Sequence, residues 1–520
     1  MIYDSVNIDK SLIKRSLLEI FDKYGYGEEG MGLIKKIGMF AGSIRYNSFL
    51  IGGFVRDIII YSMKIDPKTS SRFNSANVFN IVQGDKIYSK NRQYSGICLD
   101  IDITLEGSAE RFAELLKERK DIDLAINSIK IHKRFGTASI EFLVNGKPLK
   151  VDLASARTEI YRNHGALPAV NIGGASLRDD VFRRDFTINT LSFSLNTLNA
   201  NDSKNGENSL GGTRTAFLAI KDYARGLPDI LNKKIRVLHD LSFKEDPTRM
   251  LRAVRFEKRL GFNIEKHTKI LIKKALEAKV LDNISGKRIM AELNLLLKEK
   301  KPEIYFARLE TLGILKGIYS KLRFNNDNKK VFRKIAKNYK TCKNVHIFYI
   351  AELLCHLSPV DFNMITERLA LGEKIKKITL SMYLEVKDLK KLKEKYLNKL
   401  CKNKPLKLKN SEIYLMFKGF SESGILFYLF KNDNKDDADF NFKKWAVRYI
   451  NRIRFIKPAT NGNDIKSLGI CEGPVCGSII EEIKLLKMDG KLKSKAAEFL
   501  YVKNKYIVNK KMEGVENDRI

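Results

Sequence analysis

At 520 residues the chain is too long for one core, and roughly 100–200 residues per domain suggest about three or four units. Its 96 Lys and Arg against 61 Asp and Glu leave a formal charge of +35; with 44% hydrophobic and 30% charged residues it reads as a soluble globular protein. That excess of base points to polyanionic partners, nucleic acid ahead of an acidic membrane face. No apolar run of about 18 residues occurs, which argues against a membrane span. Met1-Ile2-Tyr3-Asp4 places an acid where a secretory leader carries base. Cys98, Cys342, Cys355, Cys401, Cys471 and Cys476 are scattered without a CxxC pair, so neither a disulfide framework nor a zinc site is expected. A cytoplasmic protein with reduced thiols follows.

Residues 11–40 carry apolar and basic positions at helical spacing, which predicts a helical N-terminal extension over 1–48. Ser48-Phe49-Leu50-Ile51 reads as a strand stopped by Gly52-Gly53 and followed by helix-like Ile58-Ile59-Ile60-Tyr61. From Asp66 to Gly96 the composition turns to Ser, Asn, Lys and Tyr, a surface excursion. Strand-like Leu99 to Leu105, Ala138 to Val144 and Leu149 to Ala154, with helix-like Ser108 to Arg119, make this region mixed α/β. A second polar excursion runs from Asn196 to Thr213. Beyond it, leucine and isoleucine recur at three- and four-residue spacing, implying a largely helical second half. Ser381 to Asn410 holds ten lysines against three acids. Any single lysine there suits a solvated helix face, whereas the bias of the whole chain suits a phosphate-tracking surface.

Gly52 and Gly53 at a strand-to-helix junction let backbone N–H groups approach an anion at the positive end of a helix, and Arg56 adds a guanidinium. A glycine pair serves equally well as a plain turn. In Leu99-Asp100-Ile101-Asp102-Ile103, alternation turns Asp100 and Asp102 to one face. Two neighbouring anions are tolerated when solvated, as on an exposed strand edge, or when bridged by cations such as Mg²⁺. A third acid is expected nearby, and Asp152 and Asp185 are the rivals. Asp185 lies in Arg183-Arg184-Asp185-Phe186-Thr187-Ile188-Asn189, which suits either recognition of a ribose and phosphate or a capped helix start held by an Arg–Asp pair. Asp246-Pro247 predicts a helix start, and Asp246, Arg249, Arg252 and Arg255 recur every third residue along it. Such a row is either a salt-bridged surface or a place where ligand anions bind.

IGGFVRD, LDIDI, RFGTASI, VDLASARTE, RRDFTINTLSF and EDPTRMLRAVRFEKRLGF, spanning Ile51 to Phe262, together resemble the class II tRNA nucleotidyltransferase/poly(A) polymerase family, within the DNA polymerase β-like nucleotidyltransferases. The segment from Asn461 to Gly477 is similar to the C-terminal region of bacterial CCA-adding members. The resemblance implies an α+β fold: a catalytic head over 49–195, then an all-helical neck (196–285), RNA-binding body (286–440) and tRNA-binding tail (441–520). It further implies CMP and AMP addition to the 3′ end of tRNA from CTP and ATP. Asp100 and Asp102 would hold two Mg²⁺ ions, with Asp152 or Asp185 as the third catalytic acid. Gly52, Gly53 and Arg56 would meet the triphosphate, and Arg184, Asp185 and Asn189 the sugar and phosphate. Asp246 and Arg249 would read the base, with Arg252 and Arg255 near the phosphates. C and A both offer an exocyclic amino donor beside a ring-nitrogen acceptor, which a carboxylate and a guanidinium satisfy; U and G reverse that order, at about 1–3 kcal/mol per mispaired group. The resemblance implies no stable protein partner. Two insertions depart from the family pattern, one between Asp57 and Asp100 and one before Lys221-Asp222. Enzymes that add only CC or only A share almost all these motifs; poly(A) polymerase is a further rival, though His132-Lys133-Arg134-Phe135-Gly136-Thr137 looks more like the CCA-adding branch. An RNA-binding protein that has lost catalysis is the rival of another class, opposed by the presence of both Asp100 and Asp102.

Overall fold

The computed structural model describes residues 5–65, 99–119, 124–161, 164–166, 168–199, 217–338, 344–400, 408–432, 437–470 and 473–508. The excursion at 66–96 and most of that at 196–213 lie outside these residues, as do Cys98, Cys342, Cys401 and Cys471. Cys355 and Cys476 are free thiols. Among the described residues no helix is long and apolar enough to cross a membrane.

The chain divides into two compact units, Met1–Phe324 with Arg368–Ala370, and Asn325–Glu367 with Leu371–Ile520. The first is built on an eight-stranded sheet. Its strands are β1 (Ser5–Asp9), β2 (Asn47–Ile51), β3 (Ile101–Glu106), β4 (Ile126–His132), β5 (Thr137–Val144), β6 (Lys147–Ser155), β9 (Ser192–Ser194) and β10 (Phe217–Lys221), in the order β1-β10-β9-β2-β3-β6-β5-β4. Among the described strands of this sheet only β3 and β6 run parallel to each other. A separate ribbon pairs β7 (Thr158–Ile160) with β8 (Ala169–Asn171).

Alternation explains the sheet's buried side. Ile101, Ile103 and Leu105 on β3 are essentially inaccessible, as are Val151 and Leu153 on β6. Helices Gly27–Ser43 and Ala109–Glu118 meet through Phe40 and Phe112, whose rings stand edge to face at 4.9 Å. Phe21, on helix Lys10–Tyr24, contacts Phe54 in the same manner.

Two expectations need correction here. The N-terminal 48 residues are not helical throughout, because Ser5–Asp9 pairs with β10 as the outer strand of the sheet. The sheet also extends past the head boundary at 195 to Phe217–Lys221. Each is a five-residue strand, and in Ser5–Asp9 only Val6 and Ile8 alternate, too brief a signal to register before its partner is known.

The predicted helix at Asp246-Pro247 begins later, at Arg249, and runs to Leu260. Asp246 is extended at φ −133° and ψ 94°, the region a residue before proline is pushed into. Its Oδ1 accepts from the Thr248 N–H at 3.0 Å and from the Thr248 hydroxyl at 2.6 Å, closing the turn into the helix. Met250, Leu251, Ala253 and Val254 are fully buried on this helix, and Phe256 contacts Phe186 edge to face at 5.6 Å. That contact locks the arginine-bearing helix against the Arg183–Asn189 segment.

Every regular element among the described residues of the second unit is a helix. Phe417, Phe442, Trp445 and Tyr449 centre one of its cores, and Ile465, Ile479, Ile483 and Val502 centre another. Its longest helix, Glu373–Leu400, carries most of the lysines noted above.

Candidate active site

Register places the first elements of the site. Ile51, the last residue of β2, pairs with Asp102 on β3, so the turn at Gly52 emerges beside the Asp102 carboxylate. Asp102 in turn sits opposite Asp152 across the parallel β3–β6 pair. Gly52 adopts φ +89°, a left-handed conformation that glycine enters without strain. A side chain there would put a Cβ 3.3 Å from Asp102 Oδ2 and 3.4 Å from Arg184 Nη1. The missing side chain therefore leaves a gap flanked by a carboxylate and a guanidinium. Helix Gly53–Ile65 starts at once, so its first N–H groups, which lack partners within the helix, adjoin the turn at Gly52.

One cavity of about 220 Å³ is lined by Gly52, Gly53, Arg56, Asp100, Asp102, Arg184, Asp185, Asn189, Arg252 and Arg255, all ten named from the sequence. Phe54, Asp57, Phe256 and Arg259 complete it. Arg259 extends the three-residue row by a step of four, the alternative helical neighbour spacing, which a strict count of threes passes over. A second cavity of about 290 Å³ shares Asp102 and Arg184 as walls and adds Thr137, Ser139, Asp152 and Arg183.

Asp246 and Arg249 line neither cavity. Arg249 is buried, donating to Ser242 Oγ at 2.7 Å and to the Arg183 carbonyl at 2.9 Å. Asp246 Oδ1 also takes Arg288 Nη2 at 2.8 Å, so three donors converge on one of its oxygens. The arginine row does meet anions, and those anions belong to the protein: Arg252 holds Asp185 through Nε at 2.8 Å and Nη2 at 2.6 Å, and Arg255 reaches Glu299 at 3.1 Å.

Asp185 combines the two readings left open for it. Its Oδ1 accepts from the Phe186 N–H at 2.9 Å and Asn189 Nδ2 at 3.0 Å, and its Oδ2 takes Arg252, yet it also faces the cavity. Burial alone would raise its pKa, but Arg252 and Asn189 outweigh burial and hold it below the usual carboxylate range. Arg56 is 4% exposed and anchored by the protein, donating to Asp57 at 2.8 Å and Asn189 at 2.7 Å, with its guanidinium 5.3 Å from the Phe256 ring centre. Asp152 is held by Lys150 at 2.7 Å and by Ser139.

Asp102 differs from its neighbours. Burial pushes its pKa up to about 6, against the pull of Arg184 and with the repulsion of Asp152 and Asp100 adding to it. A carboxylate that is hard to ionise until a cation arrives suits a metal ligand. Among the described residues no three His, Cys, Asp or Glu side chains gather that could hold a metal ion. Two carboxylates at the lip of an open cavity match instead the habit of Mg²⁺, which takes one or two protein carboxylates and completes its shell with water and substrate phosphate. The donor set fits that ion.

Comparison with known proteins bears directly on this arrangement. Residues 48–236 match the family described as the poly A polymerase head domain, and residues 261–324 match the probable RNA and SrmB-binding site of polymerase A. The chain thus carries a poly A polymerase-type head followed by that family's RNA-binding segment. The head match covers the strand, glycine turn, Asp100–Asp102 pair and Arg183–Asn189 segment that build the cavity. An A-adding tRNA nucleotidyltransferase of Geobacter sulfurreducens is 28% identical over 497 residues, 94% of this chain and 48% of that protein. The enzyme of the same name from Halalkalibacterium halodurans is 31% identical over 288 residues, 55% of this chain and 53% of that one. The chain thus spans about half the length of these curated relatives. A solved CCA-adding enzyme in an apo form superposes with a TM-score of 0.68 at 23% identity, covering 96% of this chain and 99% of that one, a likeness of fold.

Proposed function

We propose that this chain extends the 3′ end of tRNA by transferring CMP and AMP from CTP and ATP, building CCA with release of pyrophosphate. One observation carries the reading: Asp100, Asp102, Gly52, Gly53, Arg56, Arg184 and Asn189, drawn from three separate segments of the poly(A) polymerase head match, line a single cavity. In this reading Asp100 and Asp102 hold Mg²⁺, which when bound lowers the pKa of the RNA 3′-hydroxyl and stabilises charge on the phosphate being attacked. Gly53 and the helix start behind it receive the triphosphate, with Arg56 as a fixed guanidinium beside it. Arg184 and Asn189 position sugar and phosphate, and Asp185 keeps Arg252 aimed along the cavity. Asp152 acts as the third acid by adding to the negative field around Asp102. Asp246 and Arg249 are the base-selecting pair in this reading, although neither lines the cavity as it stands; the Thr248 and Arg288 donors to Asp246 end on Oδ1. The partner is tRNA, consistent with the charge of +35.

A second reading, addition of the terminal A alone, is favoured by the A-adding relative that matches 94% of this chain. The deciding experiment uses tRNA transcripts ending at the discriminator base or in CC, with CTP and ATP supplied separately and together, followed by 3′-end sequencing. CCA on the first transcript supports the main reading; A on the CC transcript alone supports the second. A long A tail on tRNA and on unrelated RNA alike overturns both.

A further inference from the structure

Asp180 touches neither cavity, yet it is a fully buried carboxylate at 0% exposure. It sits on helix Leu177–Phe182, whose start is secured by a reciprocal Ser176–Asp179 cap. Asp180 lies three residues before Arg183 and four before Arg184, so one turn of chain brings both guanidiniums back onto it. Oδ1 accepts Nε of Arg183 at 2.8 Å as well as its Nη2. Oδ2 accepts Nε and Nη2 of Arg184 at 3.2 and 2.9 Å, and lies 3.5 Å from the Thr104 hydroxyl. Thr104 is two residues along β3 from Asp102 and therefore on the same face, and Arg184 Nη2 also reaches its hydroxyl at 3.4 Å.

From this hub the two arginines diverge. Arg184 ends beside Asp102, the two flanking the space over Gly52. Arg183 donates to Glu159 at 3.1 Å, and its carbonyl accepts from Arg249 at 2.9 Å. A charge buried this completely is costly unless paired, and here the pairing sets the direction of a side chain that borders both cavities.

We propose that Asp180 is a positioning residue for the transfer reaction: it aims Arg184 at the incoming triphosphate beside Asp102 and, through Arg183, ties that aim to Arg249. The inference rests on the nucleotidyl-transfer reading. Its sign separates it from a plain electrostatic effect. Removing a buried negative charge near a bound anion strengthens anion binding if charge alone matters, whereas loss of aim weakens it.

The test is ATP binding to the full chain by calorimetry with Mg²⁺ and no RNA, for wild type, Asp180→Asn, Arg184→Lys and the double variant, alongside melting curves. The expected result is a roughly ten-fold weaker Kd for Asp180→Asn, with the double variant no weaker than Arg184→Lys by itself. An unchanged or tighter Kd in a folded Asp180→Asn overturns the inference, as does a double variant in which the two losses multiply. Should Asp180→Asn fail to fold, Asp180→Glu, which keeps the charge but moves both oxygens by one methylene, enters the same cycle under the same criteria. Wild type that binds ATP without extending RNA refutes the transfer reading while the Kd cycle still judges Asp180; wild type that binds no ATP overturns both.

Discussion

At Asp102, structure and chemistry oppose each other most openly. Its folded pKa of about 6 stands above the ordinary 3.8, so the native state binds the extra proton. The stability associated with that proton is present below about pH 4 and is lost as the pH rises through about 6. At pH 7.5 without divalent metal, the ionised Asp102 therefore weakens the fold. Asp102→Asn is expected to abolish transfer yet to melt higher than wild type in chelator at pH 7.5, with the difference shrinking at pH 5. Melting below wild type at pH 7.5 removes the basis for this reading. Gly52→Ala is the complementary case. It imposes roughly 1–2 kcal/mol of left-handed strain and crowds Asp102 and Arg184 together. Its loss of kcat/KM should exceed what its drop in melting temperature accounts for, and activity within two-fold of wild type contradicts the close approach.

The elements that present these residues depend on a few polar fastenings. Asp222, 6% exposed, accepts the N–H groups of Gly226 at 2.6 Å and Leu227 at 3.0 Å and so starts helix Gly226–Leu231. Gly226 approaches so closely that an added Cβ would fall 2.2 Å from the Thr187 carbonyl oxygen, in the segment that carries Asn189. Asp222→Ala should cost about 1–2 kcal/mol, the usual loss for a helix cap, measurable by urea unfolding. No change in the midpoint denies the cap its role. The Arg249–Leu260 helix shows why the arginine row was only partly legible. The three-residue spacing correctly put successive arginines side by side, but in a buried helix that spacing says nothing of whether protein or ligand supplies the anions. Asp185 and Glu299, remote in sequence, supply the anions for Arg252 and Arg255, while Arg249 is met by neutral acceptors, the Ser242 hydroxyl and the Arg183 carbonyl.

For the whole molecule, the charge of +35 makes salt the decisive variable. Binding of tRNA should weaken by about a hundred-fold or more between roughly 50 and 200 mM salt, as expected when at least six phosphates are neutralised. A change under three-fold means that the excess base serves something other than RNA. The motifs, read in order, pointed to ten of the residues that line the cavity, because strand alternation, a glycine turn and short clustered motifs are local facts that survive in one dimension. Tertiary structure decided what depends on register and on contacts between distant segments. Ile51 had to pair with Asp102 before Gly52 could open a gap beside Arg184. Ser5–Asp9 became a strand only by finding β10. The withdrawal of Asp246 and Arg249 from the cavity wall, onto Arg288, Ser242 and Arg183, likewise rests on contacts that no spacing along the chain encodes.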